Sequence, residues 1–501
     1  MARVSNKHKN AQRISYPSFN GGLNLSVPPE SLERNELKIA ENVEFSPMTG
    51  AMTVRGGLVW SGRFDSEIDC VVPVAGRRGF LVRRKGTKAV QFFQWEFIRP
   101  VSGTLTGDGE ISIVAWGDEW LVASGGKLQR FTDENAPQLI TISSSPSECR
   151  SVFVRSGRVG VVSREDGDDV LRFSGVGDCT QWTEDDGHQD NPAIFIDIGY
   201  KDGMNIDAVV PLSRDLIVFK SPDGEPDKGT IFRLTGDYPE WAVVEAAHNT
   251  GTYNHKSIQA VANDVYYITV SGVASLSSVS QYGDIKAQWP DRKVSPSLTP
   301  LLNDTAELWN VPVKQQLWIL PEKGTKEIWI LDYSRGIWTT FKFPQAIMYA
   351  TGVDNALYVF TGRDVYRVED GFSVDNIRND NGTFSKSAIE AKMRMGTLIA
   401  GKQLLIKGVF ASFGLLPGCT AELWLGKFHM TFTGGGAIDY IYDAPNDTQK
   451  ASEDYDPLYP TGGTLTSRRK CIVRDWAITP EVIITGGCCS LSTMGLETVE
   501  V

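Results

Sequence analysis

Five histidines, seven cysteines and 61 acidic residues are the side chains of this sequence that could carry chemistry. A metal needs several ligands at short spacing. His188 lies in the acidic run Glu184-Asp185-Asp186-Gly187-His188-Gln189-Asp190, but no second ligand cluster accompanies it, so the run reads as a solvated loop. His248 and His255 flank Gly251 to Asn254 and suit a loop or strand start better than a general base. His8 and His429 stand alone. Asn379-Asp380-Asn381-Gly382 has the look of a calcium loop, yet the frame would need acids where Ile377 and Ala388 stand. Glycoside hydrolysis needs two carboxylates at a fixed separation, which spacing along the chain does not give. The sialidase box Ser-x-Asp-x-Gly-x-x-Trp has no copy, and Ser334-Arg-Gly336-Ile-Trp338 is compressed and lacks its acid. There is no G-x-x-x-x-G-K-[ST] phosphate loop. The cysteines (Cys70, Cys149, Cys179, Cys419, Cys471, Cys488, Cys489) contain no C-x-x-C, and the vicinal pair Cys488-Cys489 reads as two strand residues. No catalytic, cofactor-binding or metal-binding residue is therefore expected, and the chain is read as a non-enzyme that needs no cofactor.

The elements that would position any site are strands. At 501 residues the chain exceeds the usual size of a single core, so several domains or a repeat are expected. Forty-nine glycines and 24 prolines supply many turns, and 10% aromatic residues suit sheets. The balance of 50 basic and 61 acidic residues, net −11, disfavours a sequence-reading DNA binder. It suits a surface past which DNA slides, because phosphate attraction is what would hold it. Met1 to Arg13 has no apolar segment and is not a signal peptide. Gly408 to Ala421 is too short to span a bilayer. A soluble protein made in a reducing cytosol is expected.

A four-residue pattern, apolar-x-Arg-apolar, recurs at Leu128–Phe131, Val170–Phe173, Ile231–Leu234 and Val365–Val368. Gly-bearing turns such as Ser124-Gly125-Gly126 and Thr361-Gly362-Arg363 precede it, after alternating runs, which predicts hairpins. Gly177-Asp178 to Trp182 matches Gly236-Asp237 to Trp241, and Asp332 to Trp338 is a looser version. Each leads from a strand through a turn to an indole able to fill a wedge between sheets. Units start near Cys70, Glu110, Ser151, Asp207, Ser257, Leu308 and Ala346, with spacings of 38 to 56. Residues 70 to 371 shared among seven units give about 43 each, inside the roughly 40–50 of a propeller blade. The expected fold is all-β: an irregular six- or seven-bladed β-propeller, with an N-terminal extended arm and a C-terminal β-sandwich-like region. A pair of β-sandwiches built from similar hairpins is the alternative.

The expected divisions are 1–60, an arm and head segment; 61–383, the propeller; and 384–501, a β-rich region with a long loop at 434–463. The hydrophilic run from Asp375 to Thr383 marks the second boundary. C-terminal strands could also return to close the ring, since closure removes a sheet edge. The head reads as a Gly-Gly turn, a polar proline-bearing segment, a short helix and a strand ending on Arg55-Gly56-Gly57.

The head carries Asn20-Gly21-Gly22-Leu23, Asn35-Glu36, Glu41-Asn42-Val43, Gly50 and Arg55-Gly56. Further on come Leu171 to Trp182, Asp215 to Lys220 and Val265 to Val273. With these in order, the whole chain resembles the tail nozzle (packaged-DNA stabilisation) family of short-tailed bacteriophages. The resemblance implies a virion structural protein, a homo-hexameric ring below the portal and adaptor proteins. Such a ring neighbours tail fibres or spikes, holds packaged double-stranded DNA and conducts it on ejection; its place is the virion tail, assembled in the host cytoplasm. The basic extension before Pro17 is not part of the family pattern. Its Arg3, Lys7, Lys9 and Arg13 could dock on an acidic neighbour or be a solvated tail. Two other classes stay open: a propeller hydrolase or depolymerase acting on surface glycans, and a glycan-binding adhesin at a tail tip. The first would show clustered acids and cleave polysaccharide; the second would bind cells alone.

Overall fold

The computed structural model describes residues 11–500 apart from 434–463 and the short stretches 47–49, 78, 95, 134–135, 166–168, 185–189, 213, 224, 262, 280–283, 354–355, 371–373, 416–418 and 487–488. Strands dominate, and the one α-helix among the described residues is the four-residue Ser295–Leu298.

Among the described residues, seven four-stranded antiparallel units follow one another. Their innermost strands are Ile68–Val74, Ser112–Trp116, Cys149–Arg155, Asn205–Leu212, Ile258–Val261, Glu307–Val311 and Tyr349–Val353, here blades 1 to 7. Each inner strand touches the next, and the seventh touches the first, so the ring is closed. Six blades are separate sheets, whereas blade 6 continues through its outer strand Ile337–Ile347 into a larger sheet. The chain closes the ring in blade 7, where the early strand Gly57–Arg63 pairs antiparallel with Asp364–Glu369. The four apolar-x-Arg-apolar copies fall in the third strands of blades 2, 3, 4 and 7. Their arginines take a strand's polar face, as Arg130 on Glu119 and Arg233 on Asp215 show.

Indoles do fill the wedges. Trp182 packs with Leu121 and Val161 between blades 2 and 3. Trp241 lies against Phe173 across blades 3 and 4, ring centroids 4.7 Å apart. Trp338 packs instead into the core beyond blade 6 and donates from Nε1 to the Pro290 carbonyl at 3.0 Å.

That further core lies between two sheets. One contains Val43–Phe45, Met52–Val54, Cys489–Glu500, Leu398–Leu415 and Thr464–Ile478, with Ala11–Tyr16 paired to Cys489–Glu500. The other extends blade 6 through Glu36–Glu41, Glu390–Met395, Pro480–Thr485, Thr420–Leu425 and Phe428–Thr433. Phe413 of the first meets Phe432 of the second, centroids 5.0 Å apart. The C-terminal region is thus a two-sheet body that both chain ends build.

Two expectations are corrected. Glu36–Glu41 is a strand, and among the described residues of the head the helical ones are the 3-10 turn Pro29–Ser31. Good helix formers there are overridden by pairing with Glu390–Met395, which buries Leu37 and Ala40. The boundary expected at the Asp375–Thr383 run falls inside a hairpin of Val374–Arg378 with Phe384–Ala388, whose Asp375 is buried. The strands within residues 11–54 join the sheets of the two-sheet body. The long loop expected at 434–463 and the pair Cys488-Cys489 lie outside the described residues, the latter as regards side chains.

Candidate functional site

Inner strands of a propeller run side by side, so residues near their starts meet at one mouth of the axis. Here Cys70, Glu110, Lys256, Glu307 and Tyr349 lie within two residues of the starts of five inner strands. Lys256, from blade 5, crosses the axis. Its Nζ lies 2.6 Å from Glu110 and 3.8 Å from Glu307, and donates to the Cys70 sulfur at 3.1 Å. Lys323, from the hairpin turn of blade 6, lies 3.2 Å from Glu307 and 3.4 Å from Glu110. Both ammonium groups sit over the Tyr349 ring, at 5.4 and 4.9 Å, and the Tyr349 hydroxyl donates to the Asp69 carbonyl. Arg83 seals the side, bonding Asp69 at 2.7 Å and the carbonyls of Asp108 and Gly109.

The electrostatics follow from burial and pairing. Burial opposes ionisation of Glu110, but Lys256 and Lys323 win and hold its carboxyl down at about 2. Glu307 is pushed up, because burial outweighs the same two lysines. Burial, with Lys256 adjacent, lowers His255 to about 4, so it is a neutral ring beside the Ile111 carbonyl. Burial raises the Cys70 thiol, which disfavours the thiolate a nucleophile needs. Lysines on carboxylates across the ring make a bolt between blades 1, 2, 5 and 6. Blade 5 is not a neighbour of blades 1 or 2, so the axis is crossed by protein.

A second knot joins the head to the rest. Asn42, at a left-handed φ of 55°, donates to the Glu390 carbonyl at 2.8 Å. Its Oδ1 accepts from Arg55 Nε at 2.9 Å and from the Lys342 amide at 2.8 Å. Arg55, its side chain 1% exposed, forks onto Asp375 at 3.0 and 2.7 Å, and its guanidinium lies 4.5 Å from the Phe343 ring centroid. Gly56 is glycine because a Cβ would stand 2.6 Å from the Glu369 carbonyl oxygen. The head-motif residues thus fasten the chain start to blades 6 and 7 and to the two-sheet body.

Of the basic residues expected to dock a partner, Arg3, Lys7 and Lys9 lie outside the described residues. Arg13 is exposed on Ala11–Tyr16, opposite Glu497, its guanidinium 4.5 Å from the Phe410 ring centroid. His188 also lies outside the described residues, while Glu184 pairs with Arg172 at 3.2 Å. His248 pairs with Glu245 on an outer strand, and His429 stacks on Trp424. No group of three or more metal-ligating side chains occurs among the described residues, and none of their helices is long and apolar enough to cross a membrane. Sequence reasoning missed the axial bolt. Its signal was the recurrence of a charged or polar residue at the predicted unit starts near Cys70, Glu110, Ser257 and Leu308.

The last feature is an edge. Thr464–Ile478 ends its sheet, and its only strand partner among the described residues is Leu398–Leu415. Ile472 on it is 84% exposed and Trp476 58%, with Ile399 of the partner strand 63% exposed.

No family model and no curated protein matches the chain. Solved structures that resemble it include virginiamycin B lyase from Staphylococcus aureus (11% identity, 61% of this chain and 96% of that one, TM-score 0.41). The Swd1 propeller domain of Myceliophteria thermophila is similar at 10% identity, 63% and 99% coverage and TM-score 0.42. BamB from Moraxella catarrhalis stands at 11%, 65% and 94%, and 0.36. By its strand topology the chain is a β-propeller protein carrying a two-sheet body on one blade.

Proposed function

We propose that this chain is a structural protein of a short phage tail, six copies of which form the nozzle below the portal–adaptor complex. There it retains packaged DNA and conducts it on ejection, without enzymatic activity. The family resemblance motivates the reading, and the observation that carries it is the exposed edge Thr464–Ile478 with Ile472 and Trp476. An edge of this length leaves backbone groups for a partner, and the charged Arg469, Arg474 and Asp475 along it would select that partner against unselective pairing. A second copy covering it through a different surface makes a heterologous contact, which closes into a ring when the rotation allows. The bolt across the propeller axis is compatible with a stiff segment, and under this reading the conduit would run between subunits rather than through the propeller. Arg3, Lys7, Lys9 and Arg13 would dock on the adaptor or the next subunit. A net charge of −11 per copy keeps the bore from gripping a polymer with one charge per ~1.7 Å.

Electron microscopy of intact particles tests this. A sixfold ring of this chain with Thr464–Ile478 at the subunit contact is the expected result. A bore lined by clustered lysines and arginines, or polysaccharide cleavage by the purified chain, would overturn it.

A further inference from the structure

The outer face of the sheet that extends blade 6 carries a groove of about 520 Å³ lined by Lys38, Arg394, Thr397, Trp424, Thr479 and Glu481. That volume lies within the roughly 300–1,000 Å³ of small-molecule clefts. Strand register builds the floor: His429 is opposite Trp424, Trp424 opposite Glu481, and Glu481 opposite Arg394, four residues in one row across four strands. The alternate residues, Leu423, Val482 and Met393, point into the core, which fixes the row outward.

Each member of the row is held. The indole of Trp424 stacks on the His429 imidazole, centroids 4.5 Å apart at 23°, and its Nε1 donates to Glu422 at 3.0 Å. Arg394 donates through Nε and a terminal nitrogen to Glu481 Oε2 at 3.0 and 2.9 Å. Oε1 has Lys392 at 3.7 Å. The Thr397 and Thr479 hydroxyls bond each other at 2.7 Å, and Lys38 is engaged by the Val27 carbonyl at 2.9 Å.

We propose that this groove binds a neutral hexopyranose unit of a saccharide. An anion would face Glu481, and a cation would face Arg394 and Lys38. A pyranose ring has a face of polarised C–H bonds that suits the negative face of the Trp424 indole on the side away from His429, which does not line the groove. Its rim of hydroxyls both donates and accepts, matching a guanidinium donor, a carboxylate acceptor and two threonine hydroxyls side by side. The inference does not depend on the nozzle reading, since it concerns a different face of the molecule.

The test is saturation-transfer NMR on the full chain with methyl glucoside, galactoside, mannoside and glucuronide as probes. At least one neutral glycoside should receive saturation. Trp424→Ala should abolish the signal, Trp424→Phe should keep it, and Glu481→Gln should weaken binding about tenfold or more, as expected for a hydrogen bond to a charged group. Variant melting temperatures equal to that of the parent show that the fold is kept. Saturation of no neutral glycoside, of the glucuronide alone, or equally in Trp424→Ala, overturns the proposal.

Discussion

Replacing Lys256 by methionine tests whether the axis is a bolt. The change keeps the aliphatic stem and removes one charge whose side chain is 11% exposed. Glu307, 3% exposed, keeps only Lys323 at 3.2 Å, and Glu110 keeps the same lysine at 3.4 Å. Removing one partner of a buried pair costs about 3–5 kcal/mol. Glu110 is 37% exposed, so solvent relieves part of its loss, and the expected cost is near the lower end, about 3 kcal/mol. Urea unfolding followed by circular dichroism measures it. The pH dependence gives a second, sign-sensitive reading. In the parent, the Glu110 carboxyl is held down from 4.5 to about 2, so its contribution is present above 4.5 and lost as pH falls toward 2. His255, lowered from 6.5 to about 4, has the same sign: its contribution is lost as pH falls from 6.5 to 4. In Lys256→Met the uncompensated carboxylates gain from protonation, so acidification toward pH 4 should recover part of the loss. Lys256→Met with Glu307→Gln should recover part of it at pH 7. A cost below about 0.5 kcal/mol, the range of ordinary surface changes, or an unchanged acid response, would refute the bolt.

Asp207, on the inner strand of blade 4, is pushed up by burial to about 7 although Ser221 donates to it. With an unfolded value of 3.8, its stabilising contribution is complete below 3.8 and lost as pH rises through 7; Asp207→Asn should therefore raise the melting temperature at pH 8 more than at pH 5, read by thermal melts at both. Arg55→Met leaves Asp375 buried and unpaired and should cost about 3–5 kcal/mol in urea unfolding, whereas Arg55→Lys, unable to fork, should still show most of that loss. Ile472→Asp, on a side chain 84% exposed, should change the isolated chain's stability by no more than about 0.5 kcal/mol. Under the nozzle reading it should abolish incorporation into particles, scored by immunoblot of purified virions.

The propeller was legible because its strands repeat in sequence. The predicted unit starts at Cys70, Glu110, Ser151, Asp207, Ser257, Leu308 and Ala346 each fall within three residues of an inner strand's first residue. Local turn chemistry and alternation are enough for that, since neighbouring strands of a blade are neighbours in the chain. The head was not legible for the converse reason. Glu36–Glu41 pairs with a strand some 350 residues later, and helix-forming Glu, Leu, Lys and Ala carry no local mark of that partner. Asp375, in a run that reads as a hydrophilic loop, is buried because Arg55 lies far away in sequence and close in space.

The same non-local pairing bears on mechanics. Gly57–Arg63 closes blade 7, and Ala11–Tyr16 pairs with Cys489–Glu500, so the ring and the two-sheet body are both completed only when the chain's beginning meets later segments. Arg55 and Asn42 sit between these closures and bond blade 6, the 374–388 hairpin and the two-sheet body together. The head residues that carry the family resemblance are therefore fasteners in this chain, and their type is set by buried hydrogen bonds and close backbone approach rather than by a ligand. Under the nozzle reading, a force along the tail would load two closures, each spread over a full strand pairing. Parallel loading of many hydrogen bonds would suit a subunit that, under the nozzle reading, must stay shut against packaged DNA.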